Sequence, residues 1–396
     1  MNDYKVSLVI PCRNDDPKTF LETLKAIDAQ SLQPNELVII DSSDNDTIKN
    51  TVDSFTTNIP IVYKTIAPSF AGFSTNFGIS ISSFSLIALL DTKTSPKPNW
   101  LEKYINYMRI EEVEVVFGST VFHYKSPFQK AVRATSYGTI SHQTVPGTIV
   151  TKKIALKIRF LEDIRAAYDL DWKNRIMNAV NHYTPSKAYI SYNDFPNNIS
   201  AVMKKYFQYS FYTGMTSALK SMKEIYLTIF LVLSALIMPR WNVFMNEWEV
   251  NQLYAPDIAK KYFLSLIILF LILQFWSYLF RKNPNKNFSY KILKFILYIY
   301  TFYAVFNWNA EIANWAEDAV LYIPHVTKIF ITLLIFFSLI YRGLLKPIHS
   351  GESLNYLLPL NWLFVGFIGL VMDLCKAPGY VFGACWNRIH KIYHFK

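Results

Sequence analysis

The sequence predicts an α/β domain with a mostly parallel sheet, followed by an all-α transmembrane domain. In the first half, short apolar runs alternate with amphipathic helical patterns, the order of elements found in a parallel sheet covered by helices. In the second half, four apolar stretches approach the length needed to cross about 30 Å of hydrocarbon. The hydrophobic content, 52% of 396 residues, is high for a soluble protein and agrees with this division.

Five apolar segments of the first half are predicted strands. A helix is expected between the first two, because Asp16 can cap it and Pro17 occupies its first position. Phe20, Leu24 and Ile27 then form its apolar face. The predicted strands are residues 6–11, 36–41, 59–66, 86–91 and 113–122.

The positive charge of the chain is concentrated in its second half. Basic and acidic residues number 21 and 20 in residues 1–200, against 19 and 9 in residues 201–396. Because the long apolar stretches lie in the same half, we expect the basic excess to contact a membrane surface and not nucleic acid. A solvated basic surface is the alternative. Three cysteines form no disulfide framework, so a reducing compartment is predicted.

The second half is predicted to begin in the headgroup layer and to continue as a membrane domain. Residues 201–223 mix aromatic and basic side chains, as interfacial amphipathic helices do. Residues 224–345 are predicted to hold four transmembrane helices. Basic residues in one connection and acidic residues in the next place residues 1–200 in the cytosol, with the chain integral to the inner or plasma membrane. The predicted spans are 225–238, 262–280, 292–308 and 326–341.

The C-terminal segment, residues 346–396, contains a fifth apolar run at 357–372. A crossing there would place the basic tail outside, against the charge rule. We therefore predict an interfacial or re-entrant segment, broken at Pro378 and Gly379, with a fifth crossing as the alternative.

Polar residues follow the ends of several predicted strands. Pro11 and Asn14 follow the first strand, Asp41 ends the second, and Asp91 ends the fourth. Because ligands of open α/β sheets bind outside the carboxyl ends of the strands, these turns are expected to form one nucleotide site. A further polar segment lies at 168–175.

In order and spacing, these segments resemble the inverting family 2 glycosyltransferases, which have the Rossmann-like GT-A fold. The resemblance covers residues 5–180. Within the family, the sequence is similar to the bacterial glycosyltransferases of exopolysaccharide and surface-glycan synthesis. It is carried by residues 6–14, 37–44, 76–79, 86–91, 98–101, 146–150 and 169–175.

The resemblance implies residues for donor binding. Asp41 would contact the uracil or ribose of a nucleotide-sugar, and Asp91 would lie by the ribose and diphosphate. Pro11 and Asn14 would shape the nucleotide pocket, and Arg175 is a further candidate for it.

Asp169 matches the carboxylate that serves as base in this family. Inversion is a single displacement, so the acceptor hydroxyl must lose its proton as it attacks. Asp171 is the alternative base, because both residues flank the same turn. Either carboxylate could instead cap a helix.

Three positions depart from the family pattern: Lys93 replaces a second metal-side Asp, Tyr168 a Glu, and Thr75 an Arg. The family implies Mg²⁺ or Mn²⁺ at Asp91, and a neighbouring ammonium weakens such a site. Three interpretations stay open. Lys93 replaces part of the metal's charge, Lys93 points to solvent, or Asp91 and the donor phosphates together recruit the metal.

A cytosolic transferase on a membrane anchor implies an acceptor in the membrane. The predicted reaction moves one sugar from a nucleotide-sugar to a polyisoprenyl-phosphate or lipid-linked saccharide. The alternatives are a processive polysaccharide synthase and a non-catalytic membrane partner. Processive members carry Gln-x-x-Arg-Trp, whereas Arg240 and Trp241 follow Ile237 here, which disfavours the first alternative.

Overall fold

The computed structural model describes residues 5–216 and 326–393, with scattered positions between 222 and 303. The chain divides into two compact units, Met1–Lys223 with Leu339–Lys396, and Glu224–Ser338. Within the predicted spans 225–238, 262–280 and 292–308, the structure describes scattered helical positions only.

A nine-stranded mixed sheet forms the centre of the first unit, in the order β3-β2-β1-β4-β7-β6-β9-β5, with β8 paired to β6. Strands β1 to β4 are parallel to one another, as predicted, while β7 runs antiparallel to both β4 and β6. The strands are β1 Val6–Cys12, β2 Glu36–Asp41, β3 Ile61–Thr65, β4 Leu86–Leu89, β5 Thr94–Pro96, β6 Val115–Phe122, β7 His142–Thr151, β8 His182–Tyr183 and β9 Ile190–Tyr192.

Both faces of the sheet are covered, which explains the continuous apolar run of β1. Leu8 and Ile10 pack into one core with Trp100, and Val9 packs into the other with Trp172. A strand that is buried on both faces is apolar along its length, without the alternating polar residues of a half-exposed strand.

Helices fill the connections of this unit. The predicted first helix is confirmed, because the Asp16 carboxylate accepts a hydrogen bond from the Thr19 amide at 2.9 Å, and its predicted apolar face is buried. The helices are α1 Pro17–Asp28, α2 Thr47–Asp53, α3 Ala71–Ile81, α4 Trp100–Ile110, α5 Pro127–Ser136, α6 Lys152–Lys157, α7 Tyr168–Met177 and α8 Ile199–Met215.

The C-terminal part is helical. Helix α9, Val326–Ile340, passes into a π-helical segment, Tyr341–Leu345, which is followed by α10 Lys346–His349, α11 Leu354–Leu357 and α12 Asn361–Tyr393. In the described part of the chain, Thr332–His349 and Asn361–Asn387 are long and apolar enough to cross a membrane.

The predicted break at Pro378 and Gly379 is wrong, because α12 is continuous through both residues. A Cβ added at Gly379 would lie 2.6 Å from the Phe207 carbonyl oxygen, and one at Gly383 would lie 1.8 Å from that of Phe211. This close packing against α8 stabilises the helix at the turn where Pro378 removes one backbone hydrogen bond.

Candidate active site

A cleft of about 810 Å³ opens at the carboxyl ends of β1, β2 and β4. The predicted meeting of the strand-end turns is therefore observed. Among the predicted site residues, Pro11, Asn14, Asp91 and Lys93 line this cleft. The other lining residues are Cys12, Arg13, Asp15, Ser42, Ser69, Phe70, Ala71, Ser74, Thr92, Arg165, Tyr168, Tyr192, Asp194 and Lys205.

Two carboxylates, Asp91 and Asp169, share a smaller adjoining pocket with Tyr168. Burial, followed by the charges of Asp169 and Asp15, raises the pKa of Asp91 to about 7, against the opposing effect of Lys93. Burial also raises the pKa of Asp169, although backbone hydrogen bonds and Lys173 oppose it. A carboxylate whose pKa is raised towards neutrality is suited to taking a proton.

Lys93 is held on the cleft wall by two acids. Its ammonium nitrogen lies 2.9 Å from Asp194 Oδ2 and 3.9 Å from Asp15 Oδ1. Burial favours the neutral amine, but the hydrogen bond and charge of Asp194, with the charge of Asp15, raise the pKa of Lys93 above its ordinary value. Lys93 therefore presents a full positive charge to the cleft.

Further cations surround the same space. Lys205, on α8, lines the cleft and donates to the Asp194 carbonyl at 3.2 Å. Arg13 donates to the Ser69 carbonyl at 3.1 Å, and Arg165 completes the set. Four cations thus share the cleft with three acids, Asp15, Asp91 and Asp194, and cations of this kind form charge-assisted hydrogen bonds with a diphosphate.

The donor set at Asp91 does not fit a divalent cation. Within residues 5–216 and 326–393, no three His, Cys, Asp or Glu side chains are grouped to hold a metal ion. The charged group two residues beyond Asp91 is the Lys93 ammonium. Because Mg²⁺ and Mn²⁺ require several oxygen ligands, Asp91 alone would hold either ion weakly.

Asn14 links the first two strand-end turns. Its backbone is left-handed, with φ of 52°. Its side-chain amide donates to Asp44 Oδ2 at 2.8 Å, and its backbone amide donates to Ser43 Oγ at 2.8 Å. Asn14 therefore shapes the rim of the cleft.

Asp41 lies beneath the cleft and not on its wall. Only 2% of its surface is exposed, and its carboxylate accepts hydrogen bonds from the Tyr63 hydroxyl and the Ser43 amide. Its neighbour Ser42 lines the cleft instead. In this structure Asp41 orients the turn that carries Ser42.

Asp171 and Arg175 are paired with each other on α7. Arg175 Nε lies 2.7 Å from Asp171 Oδ2, and its guanidinium also donates to the Arg159 carbonyl at 2.7 Å. Neither residue lines the cleft or the adjoining pocket. Of the two candidate bases, only Asp169 reaches the pocket that contains Asp91.

The loop before Asp169 is fixed by α3. The Asn76 amide donates to the Phe160 carbonyl at 2.9 Å and to Glu162 Oε1 at 2.8 Å, and it accepts from the Phe160 amide at 3.0 Å. The loop ends at Ala167, whose left-handed φ of 64° directs the chain into Tyr168 and α7. The position of Asp169 thus depends on this anchored loop.

We expect Asn76→Ala to lower the stability of the protein and to weaken donor binding. The substitution leaves the buried amide and carbonyl of Phe160 without partners, at a cost of about 3 kcal/mol, while Glu162 keeps its ion pair with Arg159. Thermal unfolding in detergent measures this as a lower Tm. Ser80→Ala on the same helix removes only a local bond of an exposed serine and is the control; equal Tm values for the two variants would contradict the proposed anchoring.

Several residues that line the cleft were not among the predicted site residues. Asp15 follows Asn14 and could have been inferred from the strand-end pattern. Asp194 lies near the end of the predicted N-terminal domain and Lys205 in the predicted interfacial helix, each about a hundred residues beyond Lys93, where no local motif marks them. Only the pairing of β9 with β5 and β6 brings that segment to the cleft.

The fold is an α/β domain with a cleft at the carboxyl ends of its parallel strands, and comparison with known proteins shows which family this domain resembles. Residues 7–173 match the Glycosyl transferase family 2 family. Hyaluronan synthase from Streptococcus pyogenes is 28% identical over 124 residues, which are 30% of each chain. The O-antigen chain rhamnosyltransferase WbaN from Salmonella anatum is 26% identical over 167 residues, 41% of this chain and 51% of that protein.

A third relative, the glycosyltransferase AglE from Haloferax volcanii, is 26% identical over 190 residues, 44% of this chain and 62% of that protein. The chain spans less than two thirds of the length of each of these relatives. Among solved structures, S. aureus TarS 1–349 in complex with UDP-GlcNAc is similar, with 15% identity and a TM-score of 0.39 over 63% of this chain and 76% of that chain.

Residues 7–173 of this chain are a glycosyl transferase family 2 domain. The predicted resemblance to this family is confirmed.

Proposed function

We propose that the chain transfers one sugar, with inversion, from a nucleotide-sugar donor to a polyisoprenyl-phosphate or lipid-linked saccharide in surface-glycan assembly. The observation that carries the proposal is the cleft of the family 2 domain. It places the Asp169 carboxylate and the Lys93 ammonium on adjoining surfaces.

In the proposed reaction the acceptor oxygen attacks the anomeric carbon of the donor sugar. The bond from that carbon to the diphosphate breaks, and the diphosphate leaves with the electron pair. When the acceptor is a saccharide hydroxyl, Asp169 takes its proton as the new glycosidic bond forms. A polyisoprenyl phosphate is already anionic and attacks without losing a proton. Lys93 pairs with the negative charge that grows on the leaving diphosphate, as one of four cations in the cleft.

Asp91 makes donor binding sensitive to pH in this proposal. Its pKa is about 7, so it is neutral in more acidic solution and anionic in more basic solution. The anionic form repels a diphosphate. In the presence of EDTA, the affinity for UDP is therefore expected to fall as the pH rises through about 7.

Titration calorimetry of wild type and Asp91→Asn across this pH range measures the effect. The asparagine variant cannot ionise, so its affinity should lack the Asp91-dependent fall and exceed that of wild type at the basic end. An identical pH dependence in both proteins would show that Asp91 does not titrate in the cleft.

The surface of α12 supports an acceptor in the membrane. Large apolar side chains are exposed along one face of the helix, while Val365, Ile368 and Met372 on the other face are buried. We propose that α12 lies in the membrane surface beneath the family 2 domain, as amphipathic interfacial helices do. The exposed residues are Leu363, Phe364, Phe367, Leu374, Phe382, Trp386 and Ile389.

The processive synthase remains the second candidate for one reason. The chain is similar to hyaluronan synthase from Streptococcus pyogenes over 124 residues. Against it, the Gln of the processive Gln-x-x-Arg-Trp pattern is Ile237 here. Product size separates the two candidates, because one added sugar and a polymer differ in mass.

Donor binding tests the proposal against a non-catalytic partner. The purified full chain in detergent would be titrated calorimetrically with nucleoside diphosphates and nucleotide-sugars. We expect at least one nucleotide-sugar to bind at micromolar concentration, with weaker binding in Lys93→Ala. The absence of any ligand at millimolar concentration would favour the non-catalytic alternative.

A further inference from the structure

Three basic side chains converge at the packing of α12 on the π-helical segment. We call Arg342, Lys346 and Lys376 the basic cluster. Arg342 donates two hydrogen bonds to the two carboxylate oxygens of Asp373. The Lys376 ammonium lies 4.8 Å from the centroid of the Tyr206 ring, and Lys346 is close enough to interact electrostatically with the other three charged groups.

The basic cluster has more positive charge than its neighbours neutralise. Residues 339–393 contain two acids, Asp373 and Glu352. Asp373 is 7% exposed and is occupied by Arg342, while Glu352 is paired with Arg133 at 2.7 Å. Among the described residues, neither Lys346 nor Lys376 has a carboxylate at ion-pair distance. No carboxylate of the described residues therefore neutralises Lys346 or Lys376.

The backbone that carries the basic cluster is built for close approach. Arg342 lies in the π-helical segment Tyr341–Leu345, and π-helical turns frequently occur at functional sites. A Cβ added at Gly369 of α12 would lie 2.7 Å from the Arg342 Cβ, and one at Gly343 would lie 2.2 Å from the Trp362 carbonyl oxygen. Glycines at this contact therefore bring Arg342 directly over α12.

The basic cluster and the catalytic cleft share helix α8. Lys205 lines the cleft, and the next residue, Tyr206, is buried against Lys376. Ionisable residues are costly in a chain segment that is apolar enough for a membrane. They are found paired with one another or at a binding site. Basic pockets between membrane-associated helices bind anionic lipid headgroups.

We propose that the basic cluster binds the phosphate or diphosphate of the lipid-linked acceptor. The inference rests on the proposed function, since it assumes a lipid acceptor at the same cleft. Lys346 and Lys376 hold the phosphate at headgroup depth, and Arg342, fixed by Asp373, completes the site. The lipid's reacting oxygen is thereby presented to the cleft along α8.

The test measures binding of a polyisoprenyl phosphate to the full chain in detergent micelles. Lys346→Gln and Lys376→Gln should each raise its Kd about fivefold, the effect of losing one cation near a lipid surface. Lys204→Gln is the matched control, because it removes the same charge from an exposed position on α8. Its Kd should stay near the wild-type value. Arg342 is not substituted, because its loss would leave the buried Asp373 carboxylate without its hydrogen-bond partner.

Two further ligands identify what is recognised. Polyisoprenol, which lacks the phosphate, should bind wild type much more weakly than the phosphorylated lipid, and free pyrophosphate should compete only at far higher concentration. Equal binding of the alcohol, or equal loss in the Lys204→Gln control, would overturn the proposal. Pyrophosphate binding with the lipid's affinity would contradict a lipid source for the phosphate.

Nucleotide binding separates this inference from the proposed function. Both glutamine variants should bind UDP as wild type does, which also shows that they are folded. If the chain bound lipid phosphate through the basic cluster but bound no nucleotide, the proposed function would fail while the phosphate site stood. If both glutamine variants transferred sugar and bound the lipid as wild type does, the phosphate site would be rejected while the proposed function stood.

Discussion

Asp169→Asn is expected to lower kcat for sugar transfer by about three orders of magnitude, the contribution of a general base to such a step. The substitution preserves the shape of the side chain and removes its ability to take the acceptor's proton. Because Asp169 acts on the acceptor's proton and not on the donor's diphosphate, donor affinity should change little. Steady-state rates with a lipid-linked saccharide as acceptor, together with a donor Kd, measure both quantities.

Asp171→Asn is the control for this variant. It changes the same group two residues away, where the carboxylate is paired with Arg175 and lies away from both pockets. We expect a modest loss of stability with most of the turnover retained. If Asp171→Asn abolished turnover while Asp169→Asn did not, the assignment of the base would have to be exchanged.

Lys93→Ala is expected to lower kcat/KM by about a hundredfold, the typical effect of removing one preorganised group that stabilises transition-state charge. Its ammonium is already oriented by Asp194 and Asp15, so it meets the diphosphate without a large rearrangement. Lys97→Ala removes an exposed ammonium from the other end of β5 and should have little effect.

The same measurement with EDTA distinguishes the interpretations of Lys93. If the ammonium replaces part of a metal's charge, wild type should keep substantial turnover in EDTA, and Lys93→Ala should lose it. Complete metal dependence with no effect of Lys93→Ala would contradict this role. It would favour recruitment of the metal by Asp91 and the donor phosphates.

The local features of the fold could be predicted because neighbouring residues determine them. The cap at Asp16, the buried face of α1 and the parallel strands at the N-terminal side of the sheet follow from residue order and apolar spacing. The turn at Asp91 could be placed at a ligand cleft because parallel strands end at one edge.

Other features depend on contacts between distant segments. Strand β7 begins with polar residues at His142 and was not among the predicted strands, since its place between β4 and β6 comes from tertiary pairing. The pairing of Lys93 with Asp194 joins residues about a hundred positions apart. The continuity of α12 through Pro378 depends on glycine contacts with α8, which an isolated sequence pattern cannot display.

The most direct test of the central claim is the product formed by the purified full chain from a nucleotide-sugar and a lipid-linked saccharide. Mass spectrometry and NMR of the lipid product are expected to show one added sugar, with its anomeric configuration inverted, and no product with Asp169→Asn. A polymer, a retained configuration, or undiminished product with Asp169→Asn would contradict the account.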